Sequence, residues 1–220
     1  LRVTAARVPV DGASDHGTHE AIYLRDPDGN GVELAADAPP ADWPSYAEEL
    51  ARGGPRPLDL GGLLGLVEGG APTVVSQQGI TVGHVHLHVG DVPEAEHFYH
   101  GVVGFDVMAM LPGAAFVAAG GYHHHLAFNT WRGKGVLPQP AGSVGLRRWT
   151  LVLPGDDELQ ALHERALAAG AAASEQDGGL WLRDPSGNAM LAVVRVHAAD
   201  EVAAAEERKE ERASQHTPRL

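Results

Sequence analysis

Leu24-Arg25-Asp26-Pro27-Asp28-Gly29-Asn30-Gly31-Val32-Glu33 returns later in the chain as Leu182-Arg183-Asp184-Pro185-Ser186-Gly187-Asn188-Ala189-Met190-Leu191. A phrase repeated this closely marks a fold assembled from copies of one unit. The last position breaks the likeness, because Glu33 answers to Leu191. A carboxylate present in one copy and replaced by an apolar residue in the other predicts that one copy serves chemistry and the other is scaffold.

Working outward, the most regular stretch begins at Ile80. Val82, Val85, Leu87 and Val89 alternate with polar residues and predict a strand. Asp91 caps a helix with Pro93 in its first turn, Ala95, Phe98, Tyr99 and Val102 recur at helical spacing, and Gly104 ends the run. Three strands follow, near Phe105 to Leu111, Ala114 to Ala119 and Tyr122 to Thr130. The same order restarts at Leu146: a strand to Leu153, a helix from Asp157 to Ala169 stopped by Gly170, and strands around Ala172, Leu180 and Met190. The prediction is an α+β fold of repeated βαβββ modules. Residues 1–36 hold the C-terminal part of a further, truncated module, with strands Glu20 to Arg25 and Val32 to Ala35 and an exposed sheet edge. Residues 37–79 form a Pro- and Gly-rich connector with an apolar patch at Leu58 to Val67. Then come the module 80–131, a loop 132–145, a degenerate module 146–197, and a charged tail 198–220.

Composition narrows the partners. Sixteen Lys and Arg against 29 Asp and Glu give a formal charge of −13, which opposes nucleic acid and anionic lipid, so a small molecule is the expected ligand. With 44% hydrophobic residues the chain can build a core, and no apolar run suits a membrane span. A cytoplasmic location is the expectation, since Leu1-Arg2-Val3-Thr4 has no signal-peptide plan. There is no cysteine, so any metal must take nitrogen and oxygen ligands, for which 13 histidines are available.

Period-2 alternation places His84, His86 and His88 on one face of their strand and Val85, Leu87 and Val89 on the other. In Tyr122-His123-His124-His125-Leu126-Ala127-Phe128 it sends His123 and His125 to the same open cup and His124, Leu126 and Phe128 to the core. In the first 36 residues Ile22, Leu24, Val32 and Leu34 make a core face, leaving Tyr23 and Glu33 in the cup. Two histidines and a carboxylate with open positions opposite suit non-haem Fe(II), and Zn(II) accepts similar ligands. Against this, an isolated strand histidine is usually a hydrogen-bonded or solvent-facing residue, Glu33 alone reads as an exposed carboxylate, and His16 alone reads as a loop residue.

The combination of Gly83-His84-Val85-His86-Leu87-His88-Val89, Val103-Gly104-Phe105, Gly121-Tyr122-His123-His124-His125-Leu126, Asp15-His16-Gly17 and the Asp26 to Glu33 phrase resembles the two-domain catechol 2,3-dioxygenase-like branch of the vicinal oxygen chelate superfamily (glyoxalase, bleomycin resistance and extradiol dioxygenase). The resemblance runs to about Val196. It implies βαβββ modules paired into half-barrel cups around a metal. It also implies His84 and Glu33 as metal ligands, His123 as acid or base toward a bound catechol, and Tyr23 and His16 as hydrogen-bonding partners of substrate or oxygen. The implied cofactor is Fe(II), with Mn(II) or another divalent ion as the alternative, and the implied partners are a small aromatic diol and O2. The implied reaction opens the ring beside the diol.

The resemblance also implies a second histidine ligand on a strand preceding Leu1, so weak metal retention and little turnover are expected unless His86, His125 or a partner chain substitutes. The module from Leu146 has Trp149 and Leu191 where ligands would fall, so the live site should pair the module from Ile80 with the N-terminal one. Its unpaired edge favours a homodimer or strand exchange. Two other readings of the same fold are a metal-dependent glyoxalase-like lyase or isomerase, and a non-catalytic binding protein of the bleomycin-resistance type. The first would want a further carboxylate ligand. The second would favour aromatic and acidic walls over imidazoles.

Overall fold

The structure, a computed structural model, describes residues 1–67, 79–140 and 142–195. The tail predicted over 198–220 lies outside them. The chain divides into two compact units: Leu1–Arg147 with Pro185–Gly187, and Arg148–Asp184 with the strand that follows Asn188. The architecture is α+β, with three four-stranded sheets. No helix among the described residues is long and apolar enough to cross a membrane.

The first unit opens with one helical turn, α1 (Arg2–Ala5), and the strands β1 (Val10–Asp15), β2 (His19–Arg25) and β3 (Gly31–Asp37). A two-residue strand, β4 (Arg56–Pro57), pairs with β1 to give the order β3-β2-β1-β4. The sequence reading has β2 and β3 but not β1, whose Val-Asp-Gly-Ala-Ser-Asp carries one strong strand former and a bulge between Val10 and Gly12. Cross-strand pairs Ile22↔Leu34 and Leu24↔Val32 share a face, as alternation requires. That face is not the core that was expected, for Val32 and Leu34 are exposed and no helix among the described residues covers them. The opposite face carries Tyr23↔Glu33, Ala21↔Ala35 and His19↔Asp37. The connector is not bare coil, since it holds a single 3-10 turn (Pro40–Asp42), α2 (Tyr46–Ala51) with a capping box between Ser45 and Glu48, and α3 (Leu60–Gly65).

The second sheet of this unit runs β5 (Val85–His88), β8 (Leu126–Asn129), β7 (Ala114–Ala118), β6 (Asp106–Leu111). Asp91 accepts from the Glu94 N–H and starts α4 (Val92–Glu96), which continues as wider π-type turns through Val103 to Gly104 at φ +95°. Tyr99 and Phe128 are fully buried at 5.2 Å between ring centres, where the helix meets the sheet. The strand expected from Tyr122 to Thr130 is shorter than alternation suggested. Residues 119–125 are turns and bends around Gly120 and Gly121, both at positive φ, and only Leu126–Asn129 is strand. The face rule therefore fails for His123, His124 and His125.

The second unit has the sheet order β10 (Ala173–Gln176), β11 (Gly179–Arg183), β12 (Ala189–Val194), β9 (Trp149–Leu153), with α5 (Asp156–Ala168) over it. Leu162 and Ala166 of α5 are buried, as are Leu180, Leu182, Met190 and Ala192 of the sheet. Parallel pairing sets Trp149 opposite Met190 and Thr150 opposite Leu191. Trp149 therefore shares a face with the buried Met190, and the expectation that it stands in a ligand place beside Leu191 is corrected by one residue of register.

The repeated phrase has a physical basis. Asp26 Oδ1 accepts from the Asn30 N–H at 2.8 Å while Asn30 Nδ2 donates to Asp26 Oδ2 at 2.8 Å, and Asp184 and Asn188 make the same two bonds at the same lengths. Gly29 and Gly187 both sit at φ +84°, where a side chain is strained. Asp184→Ala removes both acceptors from a buried turn and is expected to cost about 1–3 kcal/mol. Denaturant unfolding followed by tryptophan fluorescence measures it, and Asp184→Asn should recover part of the loss.

Candidate metal centre

Two short segments and a sheet face bring seven polar side chains of the first unit together. On the face of β2 and β3 that carries Tyr23, alternation also delivers His19 and Asp37, with Ala21 and Ala35 leaving room between. His16 stands in the β1–β2 turn, where the Gly17 N–H bonds Asp15 Oδ1 at 2.7 Å and the His16 N–H bonds the His19 carbonyl at 2.9 Å. Gly17, at φ +75°, lies so close to Pro44 that a Cβ would come within 2.8 Å of its ring. Immediately before β5 comes His84, and the turns before β8 supply His123 and His124.

Glu33 is the hub. His84 Nε2 donates to Glu33 Oε2 at 2.8 Å, and His19 Nε2 donates to Oε1 at 3.2 Å. Burial pushes the Glu33 carboxyl up, but the hydrogen bonds and charge of His19 and His84 outweigh it and hold the group well below the usual carboxylate range. Tyr23 OH and His16 Nε2 are 2.7 Å apart, and burial together with the nearby Glu33 pushes the phenol up. The His16, His19 and His123 rings stack in a column, with centroids 4.6 and 4.8 Å apart. At its end Tyr122 lies 4.0 Å from His123, donates to Asp37 Oδ2 at 2.7 Å, and meets the edge of Trp43. Asp37 Oδ1 is 3.3 Å from His123 Nε2.

His124 and His125 exchange the places that alternation gave them. His124 is buried against His84, 4.4 Å between ring centres, and its Nδ1 is 2.9 Å from that of His123. His125 turns toward Tyr122 and Phe105 and accepts from the Ala119 N–H. His86 lies against Trp131, with Nε2 2.6 Å from Asn129 Nδ2. Neither His86 nor His125 faces Glu33, so the structure gives no support to either as a substitute ligand. His19, Asp37, Tyr122 and Trp43 were not singled out from sequence. The first two share their strand faces with Tyr23 and Glu33, which is a period-2 signal in plain view, whereas Tyr122 and Trp43 come from irregular segments that carry none.

Burial pushes the His124 imidazole far down, helped by the neighbouring His84, His123 and His19 rings, so it stays neutral in the fold. The unfolded chain takes up a proton on this ring near pH 6.5 and on Glu33 near pH 4.5, while the fold resists both. Stability is therefore expected to fall as pH drops below about 6.5, by up to about 1.4 kcal/mol per pH unit for each group. Urea midpoints between pH 7 and 4 test this, and His124→Asn should flatten the upper part of the profile.

The donor set suits a divalent cation. Two ligands at right angles on an ion with bonds of about 2.1 Å lie about 3.0 Å apart, and the two Glu33 contacts at 2.8 and 3.2 Å bracket that edge. Ligand atoms of His16, His19 and Glu33 also fall within 4.8 Å of one another.

Comparison with known proteins agrees with this chemistry. The model of the family described as "Glyoxalase/Bleomycin resistance protein/Dioxygenase superfamily" matches residues 81–190. The chain is 40% identical over 186 residues to the catechol-2,3-dioxygenase of Bacillus subtilis (strain 168), in an alignment covering 83% of this chain and 65% of that protein. It thus spans just under two thirds of that relative's length. Solved structures similar to it include a glyoxylase/bleomycin resistance protein/dioxygenase domain from Frankia sp. EAN1pec (24% identity, TM-score 0.43, 55% of this chain and 100% of that one). Another is the lactoylglutathione lyase of Agrobacterium tumefaciens (19% identity, TM-score 0.41, 52% of this chain and 92% of that one).

Proposed function

We propose, from the premise that this chain belongs to the glyoxalase/bleomycin resistance protein/dioxygenase superfamily, that it is an extradiol dioxygenase acting on a catechol with Fe(II) and O2. The observation that carries the reading is Glu33, the carboxylate missing from the repeated phrase, held against imidazoles from two separate segments. Similarity to a catechol-2,3-dioxygenase supplies the substrate class.

Glu33 and His84 hold the metal. Bound there, Fe(II) would draw the diol oxygens and O2 to one centre and supply the redox capacity for ring opening. The remaining work is proton handling and orientation. His123 takes a catechol hydroxyl proton, and the carboxylate of Asp37, 3.3 Å from its Nε2, stabilises the imidazolium that results. Tyr23 and His16, already paired at 2.7 Å, donate to oxygen on the substrate. Trp43 and Tyr122 cover the far side of His123 and limit water access. Overall, the bond beside the diol breaks and both atoms of O2 enter the ring-opened semialdehyde.

The test is anaerobic loading with Fe(II), removal of excess metal, and addition of catechol in air-saturated buffer. A yellow ring-opened product that requires Fe(II) is expected; retained iron with no product would eliminate the dioxygenase reading. His123→Phe should lower turnover by about 10²–10⁴-fold while leaving the iron content of the protein unchanged.

A further inference from the structure

The geometry points to His19 as the second imidazole ligand of the metal, completing with Glu33 and His84 a two-histidine, one-carboxylate set drawn entirely from this chain. The inference rests on the metal dependence proposed above and assigns a residue that the sequence pattern leaves out.

Three observations converge on it. His19 is 5% exposed, and a buried imidazole aimed at a buried carboxylate is a preformed donor pair. Its ring is fixed on all sides, with His16 stacked on one face at 4.6 Å and 14° and His123 on the other at 4.8 Å and 18°. Its Nδ1 lies 2.9 Å from Thr18 Oγ1, so the hydroxyl can accept Nδ1–H and leave the Nε2 lone pair for an ion. That is how metal-bound histidines are usually oriented by a neighbouring polar group.

His16 is the competing ligand, since it groups with His19 and Glu33. Its Nε2, however, already faces the Tyr23 hydroxyl at 2.7 Å, whereas His84 Nε2 is on Glu33 itself. The two Glu33 oxygens thus each meet one imidazole, His19 on Oε1 and His84 on Oε2. An ion entering here replaces two N–H···O contacts with bonds to the same three side chains.

The experiment measures Fe(II) affinity by anaerobic equilibrium dialysis of the full chain. Each variant's thermal midpoint with and without Fe(II) is also read against its own metal-free form, so that a less stable variant still reports binding. His19→Ala and His19→Gln are expected to bind at least about 10–100-fold more weakly and to lose the metal-induced rise, as is His84→Ala, while His163→Ala in the second unit behaves as wild type. If wild type retains Fe(II) and the His19 variants match it, the assignment is overturned and the metal reading survives. Retention lost on His16→Ala but not on His84→Ala transfers the ligand role to His16 and also overturns it. No retention by wild type overturns the assignment together with the metal dependence beneath it.

Discussion

Glu33→Leu, which writes the residue of the second repeat into the first, is expected to abolish Fe(II) retention and to lower ring-opening turnover by at least about 10³-fold. The size follows from the several kcal/mol that a bound ion contributes to charge stabilisation, at about 1.4 kcal/mol per decade of rate. Leucine has nothing to offer His19 Nε2 and His84 Nε2, which now donate to the carboxylate at 3.2 and 2.8 Å. The two imidazoles would be left desolvated and unpaired, so some loss of stability accompanies the loss of metal. Iron content and initial rate, measured on the same preparation, separate the two effects. Glu33→Asp keeps the charge but draws it back by one methylene, and should retain more iron than Leu and less than wild type. Full iron retention by Glu33→Leu would remove Glu33 from the site.

Phe128→Ala carries the largest expected effect on stability. Phe128 is fully buried on β8, paired in the sheet with Leu87 on one side and Ala115 on the other, with the Tyr99 ring 5.2 Å away. Truncation removes most of an aromatic side chain from a packed interior and leaves a cavity, at a cost of about 3–5 kcal/mol. A domain of ordinary stability has only about 5–15 kcal/mol to lose. The thermal midpoint should fall by roughly 6–20 °C, from about 2–4 °C per kcal/mol at this size. The consequence reaches the site, because β8 follows directly on His123, His124 and His125, and Asn129 at its end holds His86. Calorimetry of the apoprotein measures the shift, and Phe128→Leu should restore much of it.

The parts of the fold and site that were legible from sequence are those where backbone periodicity is regular. Alternation in Val85-His86-Leu87-His88 and the cap at Asp91 foretold β5 and α4, and the Tyr23↔Glu33 pair lies on one face as period 2 demands. The same rule misplaced His124 and His125, because Gly120 and Gly121 adopt positive φ and turn the chain before the strand begins. It also put Trp149 beside Leu191, because strand faces can be read from a single segment but register across a parallel pair cannot. His19 was overlooked for a different reason. It sits where β2 begins, beyond the apolar residues that announce the strand, and only the pairing His19↔Asp37 shows that the ladder extends that far.

The two Asp-Asn clamps match in bond length and in glycine φ, yet one precedes a strand bearing Glu33 and the other a strand bearing Leu191. Aim and cargo are therefore independent. The turn fixes where the third residue after its asparagine is delivered, and that residue is free to be a ligand or a piece of core. An active site in such an architecture can be gained or silenced by exchanging a single side chain, without redesigning the strand that presents it.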